Sequence, residues 1–591
     1  MGIFDFRLLS FIGIKKTPKA PWSKYYKKTS MKIKLRDENI YDYMKRKMIK
    51  HHFENNIAIN YFGTKIIYKE FINKIDNCAN KFLSIGIKKY DIVTILSANV
   101  PEALISFYAL NKIGAVSNIL HPLLSENEIL EALNKYDTKC LIALDITLDK
   151  VNKIIPKTKV KKVIVISPSN SMNILLKTLY NVKTFKTKYK IITNLSSKYM
   201  SWNKFMKIRN KDIYYDKASL KDDPALILQS GGSTGTPKGI VLSNGNVNAS
   251  TVAAINAYPD LCKNDRILGI MPIFHGFGLE VSINDAFCVG AEVVLIPTFK
   301  ASEFHKLLIK HKPTVIVGVP TLFEALTTNK NMDNVDLSNL KYVIAGGDTL
   351  SKKRVENIND FLHRHKAKTN MIQGYGLTEA VATASVDLRD LSRPGTIGIP
   401  WPGIYIGIFE PNTDKELDYD NDGEICICGP TIMLGYYNNE AETNITLKHH
   451  KDGNIWLHTG DIGSMDKDGF ITYKQRLKRM IITSGYNVYP SQIEEVLMTH
   501  EAVLNVSVIG IPHPYKKEVA KAFIVLKKGY KKSDELKEEL IKLCRKNLAV
   551  YSIPKEIEFI DSLPKTIVGK VDFNKLREKS IRLEKIKDVK K

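Results

Sequence analysis

Residues 230–239 read S-G-G-S-T-G-T-P-K-G, a stretch with little side-chain bulk and one fixed cation, Lys238. Gly231, Gly232, Gly235 and Gly239 let the backbone turn tightly and bring bare N–H groups against a ligand. Ser230, Ser233, Thr234 and Thr236 add hydroxyl donors, and Lys238 adds a point charge. Such a loop is suited to wrapping a polyphosphate. The nucleotide P-loop pattern G-x-x-x-x-G-K-S/T is absent, because Pro237 precedes Lys238 and Gly239 follows it. The apolar stretch 225–228 is expected to be a buried strand end that leads into the loop, which sets it apart from a surface linker.

Further groups follow in order, each modest alone. Residues 272–278 read P-I-F-H-G-F-G, with His275 at the centre. Residues 345–350 read A-G-G-D-T-L and contain Gly346, Gly347 and Asp348. Residues 374–379 read G-Y-G-L-T-E: Gly374 and Gly376 flank Tyr375, and Thr378 and Glu379 supply a hydroxyl and a carboxylate. Residues 456–461 read W-L-H-T-G-D and place Asp461 beside a glycine. Arg476 and Lys478 come next, then a hairpin pattern at 483–490 containing Gly485 and Tyr486. Near the end, 563–570 read L-P-K-T-I-V-G-K, closing on Lys570.

The elements that must hold these groups follow from apolar periodicity. Strands are expected at 92–96, 140–144, 163–166, 293–296, 315–319 and 342–345, with helices at 101–113, 300–312 and 352–365. Strands separated by helices of this length form parallel α/β sheets. Near residue 400 the texture changes to Pro-Gly turns and short strands, at 424–428 and 469–473. Beyond Arg476, helices at 491–498 and 533–547 alternate with strands at 505–509, 522–526 and 557–560, the pattern of a compact α+β domain. The expected division is a basic extension 1–50, a large domain 51–474 and a small one 475–591. The charged run 474–478, K-Q-R-L-K, suits a hinge.

Composition narrows the classes. The chain has 591 residues and is 44% hydrophobic, enough for two to four globular domains. No apolar run reaches the roughly 20 residues of a membrane span, and the run 8–14 is too short for a secretory signal. The seven cysteines are scattered and read as reduced core thiols. There are 88 Lys and Arg against 62 Asp and Glu, a net +26. Residues 1–50 carry 14 basic and four acidic side chains, and residues 171–210 carry nine basic and none acidic. A basic stretch with apolar neighbours can hold a protein to an anionic membrane surface. The expected location is cytoplasmic, with peripheral contact at the inner membrane surface; a solvated tail and loop is the competing reading. The same charge permits nucleic-acid binding on an inactive scaffold, but the full set Thr378, Glu379, Asp461, Arg476 and Lys570 argues against a dead site, so no nucleic-acid partner is expected.

Taken in order, these motifs resemble those of the adenylate-forming superfamily, which includes acyl-CoA synthetases, carrier-protein-loading adenylation domains and firefly luciferase. The resemblance covers about residues 52–578, and the chain is most similar to bacterial-type fatty-acid–CoA ligases. It implies an α/β fold: a large N-terminal domain of packed parallel sheets with a distorted β-barrel, and a small mobile α+β C-terminal domain. It implies ATP, Mg²⁺ and CoA, and a reaction in which a carboxylate attacks the α-phosphate before the CoA thiol displaces AMP. Under it, the loop at 230–239 holds the β- and γ-phosphates, Glu379 binds Mg²⁺, and Thr378 contacts phosphate. Tyr375 stacks on adenine against Gly346, Gly347 and Asp348, with Gly374 and Gly376 in the same turn. Asp461 takes the ribose hydroxyls and Arg476 helps fix the nucleotide. Lys570 steadies charge between carboxylate and α-phosphate. Lys478 is the hinge about which Lys570 leaves and Gly485–Tyr486 arrive over the site.

Three positions depart from the family pattern: Asn244 stands where His is common, and Gln475 and Arg479 replace a usual Gly and acid. His275 argues against an amino-acid substrate, whose ammonium group relatives pair with an Asp. Gly276, Gly278, Gly346 and Gly347 are expected to leave space for an acyl chain beside Phe277, Leu279, Val317 and Val319. A medium- to long-chain fatty acid is the first expectation. Aryl or o-succinylbenzoate-type acids, and a fatty acyl-AMP ligase loading a carrier protein, are the alternatives. Oligomeric state stays open.

Overall fold

The computed structural model describes residues 18–192, 197–210, 220–229, 237–348, 352–483, 486–513, 515–565 and 571–580. By internal contacts the chain divides into two compact units. The first is Met1–Ile406, Ile427–His458 and Asp468–Phe470; the second is Gly407–Cys426, Thr459–Lys467 and Ile471–Lys591.

Two large sheets organise the first unit. One has nine strands, with Arg266–Gly269, Glu292–Leu295, Val315–Gly318, Tyr342–Gly346 and Met371–Tyr375 pairing in parallel at its centre. The other has eight, with Ile92–Leu96, Val116–Leu120, Cys140–Leu144, Lys162–Ile166 and Pro224–Gln229 parallel, and Gly239–Ser243 turned back antiparallel. These central strands are buried almost throughout, which is why they read as continuous β-branched runs without alternation. Helix Pro101–Lys112 is buried from Pro101 to Asn111, and Tyr41, Tyr68, Phe71 and Phe287 lie in the same core.

The parallel α/β expectation holds, with local differences. The helix expected at 300–312 is a 3₁₀ turn Ala301–Glu303 followed by Phe304–His311, which ends where Lys312 turns left-handed at φ +43°. Residues 18–51 are packed onto the body: Trp22 is fully buried against Gly469, and helix Ile40–His51 buries Ile40, Tyr41 and Met44.

In the second unit, Val503–His513 and Lys517–Leu526 form a long antiparallel hairpin, beside which Glu556–Phe559 runs parallel. Both hairpin strands exceed the sequence reading, because Gly510 and Pro512 look like breakers yet pair with Ala520 and Glu518. Helices Pro490–Met498 and Asp534–Asn547 cover this sheet through Ile493, Leu497, Leu540 and Cys544. The expected hairpin is present: Thr483 pairs with Tyr486 across two intervening residues. Of the run 474–478, Lys474 to Arg476 close the strand Ile471–Arg476, and Leu477–Arg479 form a 3₁₀ turn.

Candidate active site

In open parallel sheets a ligand sits beyond the carboxyl ends of the strands. Strands Tyr342–Gly346 and Met371–Tyr375 are neighbours in register, with Gly346 opposite Gly374. Their carboxyl ends, with the loop carrying His275, line one cavity that opens to solvent. His275, Gly346, Gly347, Gly374, Tyr375, Gly376 and Thr378 all border it. Sequence reasoning placed these residues in one site, and the fold brings them together.

The cavity continues along the sheet. Tyr342, Ile344 and Gly346 alternate along one strand and share a face, so the lining extends ~13 Å from the strand's end. Val315, Val317 and Ile267 border it from the adjoining strands. Opposite lie Phe277, Val281 and Asp285, spaced four apart. Residues Phe277–Asn284 form a π-helix, whose wider turn keeps that spacing on one face. Phe277 marks the end near the strand termini, since a Cβ on Gly346 would stand 3.2 Å from its ring.

Two glycines expected to give the acyl chain room have another task. A Cβ on Gly276 would stand 2.1 Å from the Val381 carbonyl oxygen, and one on Gly278 2.1 Å from that of Pro272. Their bareness permits close backbone approach. Of the four glycines expected to give that room, Gly346 and Gly347 border the main cavity; Leu279 borders a smaller neighbouring one with Gly276.

The turn after Tyr375 is held under strain. The Ala382 N–H donates to the Ala380 carbonyl at 2.9 Å, closing a γ-turn on Val381 at φ +68°, ψ −65°. A β-branched residue rarely occupies this region, and such strain gathers at functional sites. Gly376 is required as well, since a Cβ there would stand 1.7 Å from the Ala382 carbonyl oxygen. The loop carrying His275 is pinned by buried Asn99, which accepts from Ile273 N–H at 3.0 Å and donates to the carbonyls of Gly269 and Met271.

Residues 230–236 of the expected phosphate loop lie outside the described residues, as do Gly485 and Lys570, and the side chains of Lys478 and Tyr486. Lys238 is described. Its Nζ lies 2.5 Å from Glu442 Oε2 and 5.0 Å from the centre of the Tyr436 ring. The Tyr436 hydroxyl donates to Glu379 Oε1 at 2.9 Å. Burial, reinforced by the Glu379 charge, raises the Tyr436 pKa, so the phenol stays a neutral donor. Strand pairing of Gly435–Tyr436 with Gly239–Ser243 puts Tyr436 there. Tyr436, Glu442 and Asn99 were missed in the sequence. A turn-flanked G-Y-Y at 435–437 was their one visible signal.

In the second unit, Asp461 and Arg476 are directly opposed on adjacent antiparallel strands, and Arg476 Nε lies 2.9 Å from Asp461 Oδ1. Asp461 is buried, and its backbone N–H is held by Thr459 Oγ1 at 3.0 Å. Asn244, at the family's His position, is a structural tie: it accepts from Asn111 Nδ2 at 2.6 Å and donates to the Leu220 carbonyl at 2.8 Å. Arg479 pairs with Glu494 at 2.6 Å.

A buried acid pair adjoins the cavity, with Asp285 on its border. Glu280 accepts from Thr251 Oγ1 at 2.9 Å and from Asn284 Nδ2 at 3.2 Å. Burial, reinforced by Asp285, pushes Glu280 well above the carboxylate range, and burial raises Asp285 too. These acids share the helix with Phe277 and were not singled out from the sequence.

Sheets of this connectivity, with a cavity at their carboxyl ends flanked by a lysine, a carboxylate and an aromatic turn, define an enzyme that handles a nucleotide beside an apolar ligand. Residues 47–437 match the AMP-binding enzyme family, and 492–570 match the AMP-binding enzyme C-terminal domain. A long-chain-fatty-acid–CoA ligase of Bacillus subtilis (strain 168) is 32% identical, over 90% of this chain and 94% of that one. One from Escherichia coli O157:H7 is 31% identical over 84% and 86%. The crystal structure of the anthranilate–CoA ligase AuaEII with anthranoyl-AMP superposes with a TM-score of 0.78 at 23% identity, over 93% of this chain and 98% of that one. The chain belongs to the AMP-binding enzyme family and is an acyl-CoA synthetase of the adenylate-forming superfamily. It is an AMP-forming ligase that activates an acid with ATP as an acyl-adenylate and passes the acyl group to CoA. No helix among the described residues is long and apolar enough to cross a membrane.

Proposed function

We propose that the acid is a medium- to long-chain fatty acid. The observation that carries this reading is the apolar length of the cavity between Gly346 and Tyr342. An extended chain of roughly ten carbons matches ~13 Å at ordinary carbon–carbon geometry. The names of the Bacillus and Escherichia relatives favour the same acid class.

The chemistry assigned to the residues follows. A carboxylate is a poor acceptor for a thiol, because its leaving group would be oxide. Attack of the carboxylate oxygen on the α-phosphorus, with cleavage of the bond to the β-phosphate, releases pyrophosphate and makes AMP the new leaving group. The CoA sulfur then bonds to the acyl carbon, the carbon–oxygen bond to AMP breaks, and the thiol proton is lost to solvent. Two anions must meet in the first step, so cations belong where charge collects. Lys238 and the loop at 230–236 serve the β- and γ-phosphates, and Lys570 the carboxylate and α-phosphate. Tyr375 with Gly346, Gly347 and Asp348 takes adenine, and Asp461 with Arg476 takes the ribose.

The Glu379 carboxylate and the Thr378 hydroxyl, both half-buried, are oxygen donors of the kind Mg²⁺ takes. When bound there, that ion neutralises phosphate charge. Tyr436 orients Glu379 for it by occupying Oε1. A swing about Lys478 that exchanges Lys570 for Gly485–Tyr486 lets one cavity serve both steps.

The test is a panel of acids from acetate to octadecanoate with benzoate and o-succinylbenzoate, followed by pyrophosphate release and by CoA thioester formation. Preference for the longer aliphatic acids is expected, and preference for the aromatic ones would overturn the assignment. Accumulation of acyl-AMP with CoA present would favour a carrier-protein acceptor. Lys570→Ala is expected to lose pyrophosphate release by more than a hundredfold while keeping thioester formation from supplied acyl-AMP. Equal loss of both steps would defeat the two-pose scheme.

A further inference from the structure

Over residues 174–184, the described side chains of helix Ile174–Ile192 hold it to the body by one face. The Tyr180 hydroxyl donates to Asp145 Oδ1 at 3.1 Å, and Ser169 Oγ donates to Asn181 Oδ1 at 3.3 Å. Leu176, Tyr180 and Thr184, four residues apart, are half-buried on that side. At about 100° per residue, Ile174, Leu175, Leu179 and Val182 fall together on the opposite face. They are 85%, 71%, 58% and 72% exposed. Large apolar side chains so exposed in one stripe mark a surface built for an apolar partner.

The surrounding charge says which partner. Residues 171–210 contain nine Lys and Arg and no Asp or Glu. Lys183 is exposed at the margin of the stripe. An apolar stripe bordered by a lysine, with no acid to repel anionic headgroups, matches a helix lying in a membrane interface. A protein partner matched to this charge would have to be acidic while presenting an apolar face of its own. An anionic bilayer has both properties without further specification.

We infer that helix Ile174–Ile192 docks this protein onto an anionic lipid surface, with Ile174, Leu175, Leu179 and Val182 among the acyl chains and Lys183 at the headgroups. The inference stands apart from the fatty-acid reading of the cavity, because it concerns binding to lipid and not turnover.

The test is flotation of the full chain with vesicles of phosphatidylcholine alone and with about a third phosphatidylserine. Wild-type protein is expected to float at least tenfold more with the anionic vesicles, and less as salt rises. Leu179→Ser with Val182→Ser is expected to abolish flotation while ATP-dependent pyrophosphate release with a short soluble acid stays within twofold. Lys183→Glu is expected to weaken binding to anionic vesicles alone. Undiminished flotation of the double variant would overturn the inference, as would equal binding to neutral vesicles. Absence of wild-type flotation together with a smaller hydrodynamic size of the double variant would also overturn it and assign the stripe to a second copy of this chain. Loss of pyrophosphate release with every acid would count against the enzyme reading and leave flotation to decide this one.

Discussion

The Tyr436 hydroxyl donates to Glu379 Oε1 at 2.9 Å, and Lys238 Nζ stands 5.0 Å from the centre of the same tyrosine ring. One aromatic side chain thus joins the cation of the phosphate loop to the carboxylate proposed for Mg²⁺. Tyr436→Phe keeps the ring and removes the donor. A hydrogen bond to a carboxylate is worth about 1.5–3 kcal/mol, and part of that returns through water. The Mg²⁺ concentration for half-maximal pyrophosphate release is expected to rise roughly three- to tenfold, with the acid KM unchanged. An unchanged Mg²⁺ titration would remove Tyr436 from the site.

Ile344 lines the cavity between Gly346 and Tyr342 on the same strand face. A large ring there closes the passage part-way. Ile344→Trp is expected to lower kcat/KM for hexadecanoate by more than about tenfold, equivalent to 1.4 kcal/mol, while hexanoate changes by less than about threefold. Equal losses on both acids would show that the chain does not run along this strand.

Gly276 and Val381 meet backbone to backbone, and the space for a Cβ is taken by a carbonyl oxygen at 2.1 Å. Backbone cannot yield as a flexible side chain does. Gly276→Ala is expected to cost at least about 2 kcal/mol of unfolding free energy, read from denaturant midpoints. It should also disturb the γ-turn at Val381 and so lower pyrophosphate release. A variant with wild-type stability would mean that this contact is looser than the geometry requires.

Glu102 is buried, accepts from Ser171 Oγ at 2.6 Å, and is pushed up to about 7, chiefly by burial. The folded chain therefore holds a proton that the unfolded chain releases near its ordinary carboxylate pKa. Stability falls as pH rises from about 4.5 to about 7 and is flat above, with a limit of roughly 3 kcal/mol for this group. Glu102→Gln carries no such proton. Its unfolding free energy is expected to decline less than wild type between pH 5 and pH 8, whatever its absolute value. Parallel slopes would place the Glu102 pKa near that of a free carboxyl.

Much of this architecture is legible in the sequence. Strands 92–96 and 140–144 were bounded to the residue, because a run buried on both faces has no polar interruption to blur its ends. The cavity residues His275, Gly346, Gly347, Tyr375 and Thr378 were legible because each lies in a Gly-rich turn at a strand end, where local chemistry and position coincide. The misreadings have the opposite character. Gly276 and Gly278 read as empty space, yet what fills that space is backbone distant in sequence or folded back upon itself. The strand expected at 505–509 stops short of Gly510 and Pro512, which a partner strand accommodates.

Residue order alone determined the α/β plan and which turn residues border the cavity, since both rest on turn chemistry and periodicity that act over a few residues. Tertiary structure alone decided that Tyr436 reaches Glu379 across 57 residues, that Asn99 pins the loop carrying His275, and that Ile174, Leu175, Leu179 and Val182 are left exposed. Each is a matter of which distant surface arrives opposite a side chain. That is settled by packing the whole chain at once, and no local pattern records it.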